Sequence, residues 1–209
     1  MKVLGLEAST DLASVAMWEE GRILFEETFP SKRSLSADLF PVLWRLLEPV
    51  GAVDRVVVGL GPGSYAGVRI TIAAAMGLQA VWGCELVGIP SVAALRGAGE
   101  RYQVIGDARR GTWYYTRVEH GVCAEGPLLA ESAAVLLGYL QAAAACDGRP
   151  LGICATELLP AEWSAELCFP SAAGLASLAA AGVGIVQTGG LEPLYLREAH
   201  ITRPTVARE

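Results

Sequence analysis

VVVGLGPGSYAGVRITIAAAMGLQA, Val56 to Ala80, is the stretch on which the reading of this chain turns. Three valines ahead of Gly59 suit a buried strand, the glycines, proline and serine that follow suit a turn, and a helical segment begins at Ala66 that is uncharged from Ile70 onward. Many phosphate-binding loops have this layout. Glycines let backbone N–H groups converge on an anion, and a helix N-terminus adds partial positive charge. The spacing departs from the common signatures, however. No lysine follows as in GxxxxGK[ST], and Ala66 stands where GxGxxG needs its last glycine. Anion binding by Gly61, Gly63 and Ser64 therefore stands beside a second reading, a tight strand-to-helix turn capped by Ser64. Arg69 adds a further constraint, because a cation in the first helical turn opposes the macrodipole at a cost of ~0.3–1 kcal/mol unless something negative lies near. Glu7, Asp107, another surface carboxylate, a partner's carboxylate and a bound phosphate are the candidates.

Outward from this stretch the elements fall into an order. Lys2–Leu6, Ala13–Trp18 and Arg22–Phe29 read as an antiparallel opening, with a turn at Glu19-Glu20-Gly21. A helix over Ser36–Glu48, a strand at Arg55–Val58, the Ala66–Trp82 helix, a strand at Glu85–Ile89 and a short helix from Ser91 follow. The order βββαβαβα is ribonuclease-H-like. After Gly97-Ala98-Gly99 it restarts, with strands at Tyr102–Asp107 and Thr112–Glu119, a weaker one after Gly121, a helix over Ser132–Ala145, a strand at Leu151–Ala155 and a helix over Ser171–Ala181. Two lobes result, 1–100 and 101–209, with the end of the chain expected to pack back on the first.

The chain has 209 residues and a net charge of −6, which gives no basic footprint for unaided nucleic-acid binding. MKVLGLEAST lacks a signal-type apolar core, which predicts a cytoplasmic protein, and the uncharged run Ile70–Cys84 is too short to span a bilayer. Five dispersed cysteines without a CxxC read as buried small hydrophobes, and two histidines, His120 and His200, offer no HxxH or HExxH pair for a metal.

Both first-lobe helices carry more apolar surface than one core face needs. Leu39, Val42, Leu43, Leu46 and Leu47 suffice for a core stripe, yet Phe40 and Trp44 lie i, i+4 on another face. The second helix is uncharged from Ile70 onward, with small Ala73–Ala75, Gly77 and Ala80 among Ile72, Met76, Leu78, Val81 and Trp82. A helix of that kind is either buried on every side or docked to something. A helical partner interface centred on Phe40, Trp44, Ile72, Met76 and Gln79 is the expectation.

Strand ends supply a third candidate. Leu6-Glu7-Ala8-Ser9-Thr10-Asp11 places an acidic residue and small hydroxyls at the end of the first strand, and Asp107-Ala108-Arg109-Arg110-Gly111 matches it in the second half. Such carboxylates hold a metal-bound phosphate in actin-like, sugar-kinase-like and Hsp70-like folds. The alternative is that Glu7 and Asp107 pair with Arg69 and Arg109. Glu7, Ser9, Thr10, Gly61, Gly63, Ser64, Arg69 and Asp107 together make the candidate nucleotide or anion site, with Thr188-Gly189-Gly190 as the second lobe's loop.

GPGSYAGVRI (Gly61–Ile70), EASTDLASVA (Glu7–Ala16), DARRGTWYY (Asp107–Tyr115) and PLYLR (Pro193–Arg197), in this order over almost the whole chain, resemble the TsaB family, also called YeaZ. The resemblance implies an α/β, ASKHA-type fold of two ribonuclease-H-like lobes. It also implies a non-catalytic partner of the transferase TsaD, which makes threonylcarbamoyladenosine at position 37 of tRNAs reading ANN codons, with the ATPase TsaE assisting. First-lobe helices would join those of TsaD, or of a second copy when the protein is alone. tRNA would be held through the complex, and ATP or ADP would sit at the TsaD interface or on partners, with no cofactor in this chain. The sequence departs from the family pattern at Glu7, where aspartate is frequent, at Leu35, where histidine is common, and at Thr112, where glutamate is usual. The catalytic relative binds metal through a histidine pair on the first helix, and no histidine occurs here before His120. An ATP-dependent phosphotransferase or ATPase of the same fold is the alternative; a protease is disfavoured because no Ser/His/Asp arrangement is arguable.

Overall fold

The first thirty residues build an antiparallel meander, β1 (Lys2–Glu7) and β2 (Leu12–Glu19) buried on both faces and β3 (Arg22–Pro30) at the exposed edge. The computed structural model describes residues 1–31, 35–147 and 151–196; Arg197 of the PLYLR motif, His200 and the tail after Arg203 lie outside them. Helix α1 (Leu35–Val50) leads to β4 (Arg55–Gly59), which pairs in parallel with β1, and α2 (Tyr65–Trp82) leads to β5 (Glu85–Ile89), parallel to β4. The strand order is β3-β2-β1-β4-β5.

The second half repeats this order. β6 (Arg101–Asp107), β7 (Trp113–Glu119) and β8 (Val122–Ala130) form a meander, α3 (Ala133–Asp147) follows, and β9 (Gly152–Ala155) and β10 (Glu166–Leu167) extend the sheet in parallel. Its order, β8-β7-β6-β9-β10, matches the first sheet strand for strand. One element shrinks: a 3-10 turn at Ala161–Trp163 stands where α2 stands in the first half. The sheets are tandem ribonuclease-H-like units.

The last elements go to the first sheet rather than the second. Helix α4 (Ala172–Ala181) sets Leu175, Ala176 and Ala179 against Val3, Val57 and Val87, while α1 and α2 set Leu39, Leu43, Val68 and Ile72 against Leu4, Leu6, Val56 and Val58 on the opposite face. Consecutive valines of β4 thus serve opposite faces, so the strand is buried on both sides, and each such side chain contributes about 1.5–3 kcal/mol of burial. β11 (Gln187–Thr188) pairs antiparallel with β5. The sequence reading of Thr188-Gly189-Gly190 as a second-lobe loop is therefore corrected, because Thr188 pairs with Val87 at the first sheet's edge.

The chain crosses between halves twice, side by side. Arg96 N–H donates to Phe169 O and Ser171 N–H donates to Ala94 O, both at 3.0 Å, with Leu95 bridging Pro170. Glu26 on β3 joins the two crossings: its Oε1 accepts from Arg96 Nη2 and from Ser171 Oγ, each at 2.8 Å. In the second half, α3 packs Leu136 and Leu140 on Ile105 and Tyr115, with Trp163 of the 3-10 turn.

Candidate functional site

The glycine-rich loop meets backbone, not open space. A Cβ on Gly63 would stand 2.0 Å from the Ser9 carbonyl oxygen, and one on Gly67 1.9 Å from that of Ala8, so only glycine permits the loop after β4 to press against the loop after β1. Ser64 N–H donates to Ser9 O at 2.6 Å, Gly61 N–H to Ser91 Oγ at 3.0 Å and Gly67 N–H to Ser64 Oγ at 3.2 Å. These donors are engaged within the chain. Ser64 is the N-cap of α2, and Gly83 closes the helix in the left-handed region.

Arg69 meets phenols instead of the expected carboxylates. Its Nη1 donates to Tyr65 Oη at 2.7 Å and its guanidinium lies 5.0 Å from the Tyr65 ring centre, while Tyr195 also contacts it and raises its pKa. Among the described residues neither Glu7 nor Asp107 pairs with it. Of the candidates within the chain, Glu7 turns inward and Asp107 pairs with Arg109 instead.

Glu7 is wholly buried, accepts Ser9 N–H on Oε1 at 2.6 Å, and leaves Oε2 without a well-formed hydrogen bond. Desolvation pushes its pKa above the ordinary glutamate value, offset in part by contacts with Ser9 and Ser91. It therefore lies behind the candidate anion site, not in it. Thr10 uses its hydroxyl locally, donating to Leu12 O at 3.0 Å.

A cleft of about 890 Å³ separates the two halves, and four stretches remote in sequence converge on it. Ser9–Asp11 and Pro62–Tyr65 line the first-lobe side, Asp107–Arg109 the second, and Pro193–Leu196 crosses the opening. Leu194 N–H donates to Leu60 O at 2.8 Å, and the Tyr195 ring stacks 5.4 Å from Tyr65. Asp107 accepts Arg109 N–H on Oδ1 at 2.6 Å, lies 3.4 Å from the Arg109 guanidinium, and gives its own N–H to Glu157 Oε1 at 2.8 Å. Tyr114 shares a 3.3 Å hydrogen bond with Thr156, and burial raises its phenol to about 12. Sequence reasoning placed Ser9, Thr10, Gly63, Ser64 and Asp107 here but missed Tyr65, Glu157 and Tyr195. Tyr195 sat within PLYLR; Glu157 carried no signal.

The helical face is the second candidate. Phe40 and Trp44 on α1 are 52% and 73% exposed, and Met76 and Val81 on α2 are 52% and 77% exposed. Small Ala73, Gly77 and Ala80 are exposed on α2 as well. Ile72 is corrected: at 6% exposure it faces the core with Val68 and Ala75, against Leu4, Leu6 and Val58, while Met76 one turn on stays outside. Gln79 is half-buried and donates its amide to Cys84 O at 3.3 Å, at the end of the helix. Among the described residues no helix is long and apolar enough to cross a membrane.

Two ribonuclease-H-like lobes facing across a cleft, with the chain passing twice between them, define the ASKHA class of α/β proteins. A family model for TsaD, tRNA N6-adenosine threonylcarbamoyltransferase, matches residues 31–144. Escherichia coli TsaB, a tRNA threonylcarbamoyladenosine biosynthesis protein, is 28% identical over 136 residues, 58% of each chain. An uncharacterized protein of Mycobacterium tuberculosis H37Rv is 33% identical over 148 residues, 69% of this chain and 64% of that one. The matches thus span about six-tenths of these relatives' lengths. The crystallised YeaZ from Pseudomonas aeruginosa superposes with a TM-score of 0.65 at 26% identity, covering 93% of this chain and 99% of that chain. The chain belongs to the TsaB family, also called YeaZ, within the group that the TsaD model describes.

Proposed function

We propose that this chain is the non-catalytic partner subunit of a TsaD-type threonylcarbamoyl transferase, acting in threonylcarbamoyladenosine formation at position 37 of tRNAs reading ANN codons. The exposed Phe40, Trp44, Met76 and Val81 on adjoining helices of the first lobe carry this reading. Large apolar side chains on paired helices gain about 1.5–3 kcal/mol each when covered, which favours a helical partner. The occupant is TsaD, and a second copy of this chain takes its place when TsaD is absent. Residues 1–100 carry the docking face, and the span after them supplies the other side of the cleft before returning α4 and β11 to the first sheet.

The loop supports the same division of labour. Its Ser64 N–H ties the start of α2 to the β1 loop, while Gly61 N–H is held by Ser91 and Gly67 N–H by the Ser64 cap, so the loop orients the docking helix. ATP or ADP belongs to the TsaD seam or to TsaE. A net charge of −6 leaves tRNA to be held through the complex in the cytoplasm. The test is reconstitution: purified TsaD, TsaE, tRNA, threonine, bicarbonate, ATP and the enzyme forming threonylcarbamoyl-AMP, with and without this chain. Modified tRNA is expected only with it, and equal modification without it would contradict the reading.

A further inference from the structure

We propose that Glu7 is a positioning residue that works as a proton-operated latch: as a neutral acid it ties together the loops that set the start of α2, and its ionisation loosens them. The consequence rests on the docking reading, since α2 carries Met76 and Val81, but the latch itself is a property of this chain alone. Oε1 accepts Ser9 N–H at 2.6 Å, and the Ser9 carbonyl accepts Ser64 N–H at 2.6 Å, at the N-cap of α2. Oε2 turns to the other side. A Cβ at Gly59 would stand 1.7 Å from Oε2 and 2.6 Å from Ser91 Oγ, so both oxygens occupy the hollow that the missing side chain leaves. Ser91 in turn holds the loop, its hydroxyl accepting Gly61 N–H at 3.0 Å and its own N–H donating to Gly61 O at 2.8 Å. The two carboxyl oxygens thus grip the Gly61–Ser64 loop from both ends.

The protonation state follows from what surrounds the group. Glu7 is wholly buried, and amides and hydroxyls of Ala8, Ser9 and Ser91 are what it meets. Charged side chains on the neighbouring elements are engaged elsewhere: Arg55 of β4 with Glu85, Arg69 of α2 with Tyr65, Arg96 with Glu26, and Asp107 across the cleft with Arg109. Asp11 is exposed on the same loop, and neither the 3-10 turn Ser91–Ala94 nor α4 carries a charge. A buried carboxylate ion without a counter-charge is the costly state, and the neutral acid avoids it. The neutral form also accounts for a second observation. Oε2 has no well-formed hydrogen bond as it stands, and a proton on it finds an acceptor in the second lone pair of Ser91 Oγ. Once Glu7 ionises, water must enter the hollow to solvate the charge, and the loops part.

Nuclear magnetic resonance of the full chain with isotope-labelled glutamate tests the latch. The Glu7 carboxyl carbon, assigned through bonds from its own amide, is followed through a pH titration alongside hydrogen exchange at the Gly61 and Ser64 amides. Glu7 is expected to keep its proton above the ordinary value of 4.5. Protection of both amides, corrected for the intrinsic pH dependence of exchange, is expected to fall as Glu7 ionises and to stay level in Glu7→Gln. Affinity for TsaD over the same range is expected to weaken about fivefold or more with that ionisation, a change that Glu7→Gln lacks. Ionisation of Glu7 together with the exposed glutamates, amide protection or TsaD affinity indifferent to its titration, or the same pH dependence in Glu7→Gln would each overturn the proposal. The titration and the exchange in the unaltered chain need no partner, so they decide on the latch even where TsaD does not bind, an outcome that contradicts the docking reading instead.

Discussion

Ser64 N–H donates to the Ser9 carbonyl at 2.6 Å, joining the loop after β4 to the loop after β1. This contact settles what the glycines around it do: Gly63 and Gly67 lie against the Ser9 and Ala8 carbonyls at distances that no Cβ tolerates. The loop's shape therefore sets where α2 emerges from the sheet.

Gly67→Ala should cost about 1–3 kcal/mol or more, since the added methyl meets backbone rather than a flexible side chain. Urea unfolding measures it. Gly77→Ala, where the added methyl meets nothing, is the control and should be neutral or slightly stabilising. Equal effects at both positions would contradict the loop assignment.

Ile72 and Met76 sit one turn apart on α2 and should behave oppositely. Ile72→Ala removes core packing and should lose about 2–5 kcal/mol, whereas Met76→Ala should leave stability within about 0.5 kcal/mol. Chemical denaturation of the two variants separates the buried position from the exposed one.

Glu7 gives stability a pH dependence of definite sign. Its folded pKa lies above the ordinary value of 4.5, so as pH rises past 4.5 the unfolded chain releases a proton that the folded chain keeps. The unfolded state then binds fewer protons, and stability contributed by this group falls until pH passes the folded pKa. Glu7→Gln, which keeps an acceptor for Ser9 N–H, should flatten that fall. A steeper decline in the variant would contradict the assignment.

Glu26 should act at a distance from its own strand. Glu26→Gln weakens the contacts to Arg96 and Ser171 by about 1 kcal/mol, both of them partly solvated. Hydrogen exchange at the Arg96 and Ser171 amides, which close the paired crossings, should accelerate relative to the β1 amides. Unchanged exchange would show that the crossings hold without it.

Much of this fold was legible because its signals are local. Valine runs, the Ser64 cap and the period of Leu39, Val42, Leu43 and Leu46 mark β4, α2 and α1 within a residue or two. The helical face was half legible: spacing separated Phe40 and Trp44 from the core stripe of α1, but α2 is apolar all round, so nothing in its pattern separated buried Ile72 from exposed Met76. Long-range contacts were barely legible beyond the expectation that the chain's end returns to the first lobe. Nothing local says that Ser171–Ala181 leaves the second half to cover β1 and β4, or that Tyr195 returns to stack on Tyr65 beside Arg69. Arg69 needed a partner, and the sequence looked for a charge where the fold supplies two phenols.

Sedimentation velocity of the full chain mixed with its cognate TsaD, repeated with Trp44→Glu and Met76→Glu, tests the docking face most directly. The account predicts a one-to-one complex that both substitutions abolish, with the isolated variants unchanged in circular dichroism and melting temperature. A complex that survives both charges, or none with the unaltered chain, would contradict it.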